Sequence, residues 1–452
     1  MIPEEWSRGE IAVIGLGKSG IAAARLLVRH GFRVYASDSG SSSAMERGVA
    51  EVRAAGAAAD VGRHDLDRIA RASLVVASPG VPPGSEALRS ALAAGVPVVS
   101  EIEIGLRFLG TRTRYIAVTG TNGKTTVTTM IAAILEASGI SATAAGNIGR
   151  TLLEATDDDV EVLVAEVSSF QLEFAPTFAP AVAVLLGLAE DHLDWHGSFA
   201  AYVAAKSNVF ARQRADGVLV VDADDAEARR TAQLAPGRVI EISITDRTEG
   251  RFGVRNGALV TPQGDEIIAI DAMPRALPHD LTNALAAVAA AREVGATLEG
   301  ARRAIAEYAT LPHRVARIGE HGGVTYYDDS KATNPHAALH AMRSFDSVVL
   351  LAGGRNKGLD LSVLADGADH IRAVIAFGDA ADEVERAFDG VRPVRRVTSM
   401  KEAVRIAHEL ARPGDAVLLS PACASFDAYE SYAARGDDFA REVQDLLAGV
   451  SS

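Results

Sequence analysis

The residues best suited to chemistry lie between Tyr115 and Thr126, where an apolar run, Tyr-Ile-Ala-Val-Thr, empties into Gly-Thr-Asn-Gly-Lys-Thr-Thr. Strand, glycine turn and a helix-compatible run over residues 127–137 follow in the order of a phosphate-binding loop. Free backbone N–H groups and the positive end of the helix dipole gather at such a helix start, which suits the clustered charge of a triphosphate. Gly120 and Gly123 let the chain turn tightly and approach the phosphates, with Thr121 and Asn122 between them. Lys124 can set its ammonium on the outer phosphates, and the hydroxyl of Thr125, followed by Thr126, is placed to hold Mg²⁺. Val118 stands where the common form of the motif has glycine, so the loop is a shortened variant.

A second glycine turn, Gly15-Leu16-Gly17-Lys-Ser-Gly20, follows the apolar run Glu10–Ile14 and opens an amphipathic helix to about His30. This is the dinucleotide pattern G-x-G-x-x-G, and Asp38, eighteen residues beyond Gly20, closes the next strand where a ribose-binding acid would sit. The pattern reports a geometry that NAD or another nucleotide diphosphate satisfies equally, and the residues alone leave both open. Leu74-Val-Val-Ala-Ser78-Pro-Gly80 is a further strand ending in a turn, at the edge where α/β sheets bind ligands.

The elements between these turns supply acids. Glu166 directly follows the apolar run Val160-Glu-Val-Leu-Val-Ala, a strand end beside a phosphate loop, where a carboxylate suits Mg²⁺. The polar turn Gly146-Asn147-Ile-Gly149 precedes it. Residues 181–188 form the next strand and empty into Glu190-Asp-His192-Leu-Asp-Trp-His196-Gly197; the Gly and the absence of a Glu between the histidines argue against a zinc helix. Residues 198–213 read as a helix carrying Lys206. Asn283, near the start of an alanine-rich helix, faces a base edge or caps the helix. In the last third, strands and helices alternate in a second doubly wound pattern, and Pro335 suits a helix opening. Cys423 reads as a small packed residue.

At 452 residues the chain needs more than one core, and its net charge of −14 argues against a nucleic-acid scaffold. A single cysteine fits a reducing, cytoplasmic setting; the acidic opening Met1-Ile-Pro-Glu-Glu has no signal-peptide core, and no apolar run spans a bilayer. A three-domain α/β chain is expected: a Rossmann-like N-terminal domain over 1–102, a central P-loop-type ATPase domain with a mostly parallel sheet over 103–310, and a Rossmann-like C-terminal domain over 311–452.

Taken together, Thr119-Gly-Thr-Asn-Gly-Lys-Thr125, Gly146-Asn-Ile-Gly149, Glu166-Val-Ser-Ser-Phe-Gln-Leu-Glu173, Glu190-Asp-His192, Leu311-Pro-His-Arg314, Asp329-Ser-Lys-Ala-Thr-Asn334 and Ser420-Pro-Ala-Cys-Ala-Ser425 resemble the ATP-dependent Mur ligases over almost the whole chain. The Ser-Ser-Phe-Gln-Leu-Glu and Asp-Ser-Lys-Ala-Thr-Asn runs look most like the branch that adds D-glutamate to UDP-N-acetylmuramoyl-L-alanine in peptidoglycan precursor synthesis. The resemblance implies that Leu16, Gly17, Asp38, Ser39, Ser78 and Gly80 face UDP rather than NAD, and that Asn147 faces the muramoyl part. It implies ATP and two Mg²⁺ ions, with Lys124 and Thr125 keeping their phosphate and metal roles and Glu166, His192 and a carbamylated Lys206 serving the second ion. Asn283, His313, Arg314, Asp329 and Lys331 fall at ATP positions, and Thr333, Lys357, Ser425 and Tyr432 around D-glutamate. Tyr432 replaces a phenylalanine of the family pattern and Asp280 an asparagine. A monomer without nucleic-acid or membrane partners is expected.

Overall fold

Three sheets account for the strand pattern of the chain, and the computed structural model describes residues 3–245 and 250–450. Contacts divide it into two compact units, one made of the residues up to Leu188 with Ala200–Ala276 and Asp280–Tyr308, the other of Ala189–Phe199, Leu277–His279 and the residues from Ala309 onward.

The first unit holds two sheets. In one, Ala58–Val61, Arg33–Asp38, Glu10–Ile14, Leu74–Ala77 and Val98–Ser100 lie side by side in that order, all parallel. The strand order reverses between Glu10–Ile14 and its neighbour Leu74–Ala77, which opens a crevice at their carboxyl ends. The other sheet has nine strands. Arg114–Thr119 is the third strand from one edge, between Val162–Glu166 and Val182–Leu185, and its interior residues Ile116, Ala117 and Val118 are fully buried. A strand buried on both faces needs a continuous apolar run, which is what the sequence supplies there. The far edge ends in the antiparallel strands Phe252–Arg255, Ala258–Val260 and Glu266–Ala269. The alanine-rich helix Pro278–Arg292 is buried along nearly its whole length, and its small side chains let it pack closely on all sides.

The second unit is built on a six-stranded sheet in the order Ala316–His321, Val324–Asp328, Ala416–Ala422, Val348–Gly353, Ile371–Phe377 and Val394–Arg396. Only the first pair is antiparallel. Asn334 caps the helix Pro335–Met342 by accepting from Ala337 N, and Pro335 takes its first position.

Two expectations need correction. The helix expected over residues 198–213 spans only Phe199–Ser207, because Val209 and Phe210 turn inward to full burial and Asn208 Nδ2 bonds to Leu172 O at 3.1 Å. Asn283 lies five residues past Pro278, inside the helix Pro278–Arg292, so it cannot be a cap. The helix Glu101–Phe108 runs across the expected boundary at residue 102.

Candidate active site

The phosphate-loop sequence folds as its residue types require. Gly120 and Gly123 take φ of +146° and +81°, and a Cβ on either would meet Leu186 Cβ at 2.6 Å or Asn283 Oδ1 at 2.5 Å. The loop is pinned from below by Thr119 O accepting from Leu186 N at 3.0 Å and by Thr121 N donating to Gly187 O at 2.9 Å. The helix Lys124–Ala137 starts directly after Gly123, and no side chain caps it, which leaves its leading N–H groups directed at the loop. Lys124 Nζ folds back onto the carbonyls of Gly120 and Thr121 at 3.0 and 2.8 Å. Asn283, expected near the nucleotide, stands beside Gly123.

Two more of the expected residues converge here. Glu166 ends the neighbouring strand and is 3 % exposed; its Oε1 accepts from Asn147 Nδ2 at 3.2 Å, while Oε2 is buried without a hydrogen-bond partner among the described residues. A buried carboxylate oxygen left unpaired is costly, and a divalent cation beside the loop would satisfy it. Gly146 makes the approach of the Asn147 turn possible, since a Cβ there would lie 2.2 Å from Glu166 O. Lys206, 2 % exposed, donates to Gly120 O at 2.8 Å, and its ammonium sits 4.6 Å from the centre of the Tyr202 ring. Tyr202 in turn bonds through its hydroxyl to that of Thr121 at 3.0 Å.

The other glycine turn of this unit has its own architecture. Asp38 accepts from Leu16 N and from Gly40 N, each at 2.8 Å, so its carboxylate shapes the turn. Ser78 Oγ donates to Gly15 O at 2.7 Å, and Gly20 packs so tightly that a Cβ would lie 1.8 Å from Gly15 O. Gly17, Ser39 and Gly80 are exposed at the same strand ends.

The second unit gathers the remaining expected residues. Lys357 Nζ lies 2.6 Å from Asp191 Oδ1, and Asn334 Nδ2 donates to Asp191 Oδ2 at 3.1 Å. His192, in left-handed conformation, donates its N–H to Asp191 Oδ1 at 2.9 Å. Asp329 is buried, accepts from Ser420 Oγ at 2.7 Å, and its pKa is pushed up to about 7 by loss of solvent. His313, also left-handed, pairs with Asp328 at 2.6 Å through Nδ1, next to Arg314. Lys331 Nζ stands 3.9 Å over the Tyr432 ring. Thr333 is half-buried and Ser425 buried on the loops of the same unit.

Sequence reasoning missed Arg435. It is fully buried and donates to Ser330 Oγ and O at 2.9 Å and to Cys423 O at 3.1 Å, tying the Asp329–Lys331 loop to the Ser420–Ser425 loop. Burial lowers it to about 10. In sequence it is one more basic residue of the helix Tyr432–Val450, with no signal of this task. Cys423 is buried and its thiol is pushed up to about 12 by loss of solvent, which fits packing and not nucleophilic attack. Among the described residues no group of three or more His, Cys, Asp or Glu is arranged to hold a metal by itself, so any cation here depends on phosphate or on other ligands.

A doubly wound fold with a diphosphate-type turn on one sheet and a triphosphate-type loop on the next defines a nucleotide-dependent α/β enzyme. Residues 9–100 match the MurD-like N-terminal domain of Mur ligases, 118–291 the Mur ligase middle domain, and 313–423 the Mur ligase glutamate ligase domain. A UDP-N-acetylmuramoylalanine–D-glutamate ligase of Desulfosudis oleivorans is 41% identical, with 99% of each chain covered. The ligase of that name from Rubrobacter xylanophilus is 42% identical over 95% of this chain and 97% of its own. The chain belongs to the Mur ligase family. The fold is also that of the MurF ligase of Thermotoga maritima solved with ADP, at a TM-score of 0.61 and 15% identity over 99% of this chain and 100% of that one. The MurC ligase of the same organism gives 0.60 and 19% over 98% and 100%.

Proposed function

We propose that this chain joins D-glutamate to UDP-N-acetylmuramoyl-L-alanine with the cleavage of ATP to ADP and phosphate. The observation that carries the reading is the uncapped helix start behind Gly120–Lys124 set beside Glu166, whose Oε2 lacks a partner among the described residues. A carboxylate resists attack by an amine because it is an anion with no leaving group. Transfer of the γ-phosphoryl group to the L-alanine carboxylate supplies one, and the D-glutamate amine then displaces phosphate from the acyl phosphate to form the amide. Such a transfer needs positioning and charge neutralisation more than covalent help from the protein.

In this reading residues 1–102 bind UDP through Leu16, Gly17, Ser39, Ser78 and Gly80, with Asp38 holding the turn, and Asn147 meets the muramoyl group. Residues 103–310 bind ATP phosphates through Gly120 to Thr126 and Asn283, and Lys124 neutralises the outer phosphates. Residues 311–452 contribute His313, Arg314, Asp329 and Lys331 toward the nucleotide and Thr333, Lys357, Ser425 and Tyr432 toward D-glutamate, whose carboxylates would replace Asp191 on Lys357. ATP and Mg²⁺ are the cofactors of the family; two ions are proposed, Thr125 serving one and Glu166, His192 and Lys206 the other. Mg²⁺ supplies neutralisation of the phosphate charge when bound. Lys206 would serve only as a carbamate, formed when its neutral amine adds to CO₂ and loses a proton, which turns a cation into an oxygen ligand. No helix among the described residues is long and apolar enough to cross a membrane, and a cytoplasmic monomer is proposed.

The test combines ATP, Mg²⁺, UDP-N-acetylmuramoyl-L-alanine and D-glutamate and reads the coupled product by mass spectrometry. The expected result is product and ADP in equal amounts, with D-glutamate strongly preferred to L-glutamate. Absence of product, or equal rates with the two enantiomers, overturns the reading.

A further inference from the structure

Glu101 is a buried titratable group to which the reaction above gives no task. It opens the helix Glu101–Phe108 and yet is only 2 % exposed, although an acid at a helix start is ordinarily solvated. Its Oε1 accepts from Gln171 Nε2 at 2.7 Å. Its Oε2 is buried without a hydrogen-bond partner among the described residues, as is the hydroxyl of the preceding Ser100.

Two elements meet at this carboxyl. From one side comes Ser19, in the first turn of the helix Lys18–Arg29 behind the Gly15–Gly20 turn; its hydroxyl faces Glu101. From the other comes Gln171 of the helix Ser169–Glu173, whose amide has a fixed orientation. Its Oε1 accepts from Ser168 N at 2.8 Å in a capping box, so its NH₂ must point at Glu101. Ser168 lies two residues after Glu166. One carboxyl therefore connects the diphosphate-type turn to the strand end that carries the unpaired Glu166 oxygen.

Loss of solvent outweighs the hydrogen-bond donors around the carboxyl and favours the protonated form. Ser19 and Gln171, the groups that face the carboxyl from the elements packed on it, are uncharged; no charged group offsets the loss of solvent, and Glu101 is pushed up to about 7. Resting on the reading of residues 1–102 as the UDP site, we propose that Glu101 is a positioning residue that holds the diphosphate turn against the Glu166 strand and takes up a proton when the UDP-linked substrate binds. A diphosphate at the helix start behind Gly17 brings negative charge toward the carboxyl and favours its neutral form further. By reciprocity, ionisation of Glu101 must weaken binding of that substrate. The sign follows: affinity is full at low pH and falls as pH rises through the value of the free protein. The diphosphate diester and the alanine carboxylate of the substrate do not titrate in that range.

Calorimetric titration of the protein with UDP-N-acetylmuramoyl-L-alanine, in two buffers of different ionisation enthalpy at about pH 7.5, reads the proton directly. The wild type is expected to take up a large fraction of one proton, and its KM for this substrate to rise by up to about tenfold per pH unit above about pH 7, with kcat and the KM for ATP not following. Glu101→Gln keeps the acceptor oxygen and places NH₂ where the protonated acid has OH. It is expected to take up no proton and to show a flat KM, with the kcat of the wild type at about pH 6. Binding by the wild type without proton uptake, or parallel KM profiles in the two proteins, overturns the inference. Failure of the wild type to bind the UDP compound at all overturns the reading of residues 1–102 instead. If the variant folds poorly, the wild-type titration decides alone.

Discussion

Two turns of this molecule share one plan and differ in charge. Gly15–Gly20 and Gly120–Lys124 each join a buried parallel strand to a helix through glycines, one of which sits at positive φ right after the strand. At the first turn an acid is built in: Asp38 binds Leu16 N and Gly40 N, and the lysine of the turn, Lys18, is exposed and reaches away to Gly149 O. At the second turn the lysine of the turn folds onto the loop itself, Lys124 Nζ donating to the carbonyls of Gly120 and Thr121 at 3.0 and 2.8 Å. Backbone geometry alone thus does not choose the ligand. A near-neutral turn suits a diphosphate diester held by N–H groups, whereas a turn with its own lysine folded onto it suits a triphosphate whose terminal group gathers charge as it departs.

The sharpest way to break this comparison is Lys124→Ala. Loss of a preorganised cation at the transferring group is expected to lower kcat by about 10²- to 10³-fold, with a far smaller change in the KM for the UDP substrate. Phosphate release measured under saturating ATP checks it. A loss confined to ATP affinity would show that the lysine only binds.

Next in size is a pair of glycine variants in the first turn. Gly20→Ala places a Cβ 1.8 Å from the Gly15 carbonyl, a backbone atom that cannot move aside, and is expected to cost a few kcal/mol, on the order of 3, in stability. Gly17 has φ −72°, and a Cβ added there would meet nothing within 4 Å, so Gly17→Ala should leave the melting midpoint nearly unchanged. It should nevertheless raise the KM for the UDP substrate, because the methyl group stands where the diphosphate approaches. Equal stability losses in the two variants would remove the distinction between packing glycine and approach glycine.

These turns are legible in the sequence because glycine at a strand end and a helix period behind it are local signals. So is the burial of Ile116, Ala117 and Val118, since the middle of a strand covered on both faces must be apolar. What is not legible depends on distant partners. Residues 208–213 carry a helix-compatible pattern, yet Val209 and Phe210 fill the core and end the helix at Ser207. Arg435 reads as a surface residue until the carbonyls of Ser330 and Cys423, far apart in the chain, are brought around it. In the sequence Glu101 closes the strand-like run Pro97-Val-Val-Ser, and only the structure shows it opening a helix with Ser19 and Gln171 brought against it. Asn283 stands out by its residue type, but its choice between base edge and cap goes against the cap, because Pro278 starts the helix earlier than the polar residues suggest.

Asp38→Asn tests the acid that closes the first turn. An asparagine offers one acceptor oxygen where the carboxylate offers two, so its NH₂ must face either Leu16 N or Gly40 N, both donors. The expected cost is on the order of 1–3 kcal/mol in stability, with a higher KM for the UDP substrate and an unaltered KM for ATP. Thermal melting and the two KM values check it. A rise in the ATP value would mean that the two turns are not independent.

The smallest effect is expected from Lys18→Ala, and it is the variant that separates the two lysines most directly. Lys18 occupies the turn much as Lys124 occupies its own, one residue past a glycine. Its ammonium is exposed and engaged with Gly149 O, next to the Asn147 turn, so it is expected to steady that turn rather than to hold a phosphate. An exposed hydrogen bond of a surface cation contributes under about 1 kcal/mol, which corresponds to less than about a fivefold rise in the KM for the UDP substrate and no change in kcat. Screening should reduce even this, so the gap between variant and parent should narrow as salt is raised. A loss in kcat approaching that of Lys124→Ala would place a phosphate on Lys18 and make the two turns alike in charge as well as in shape.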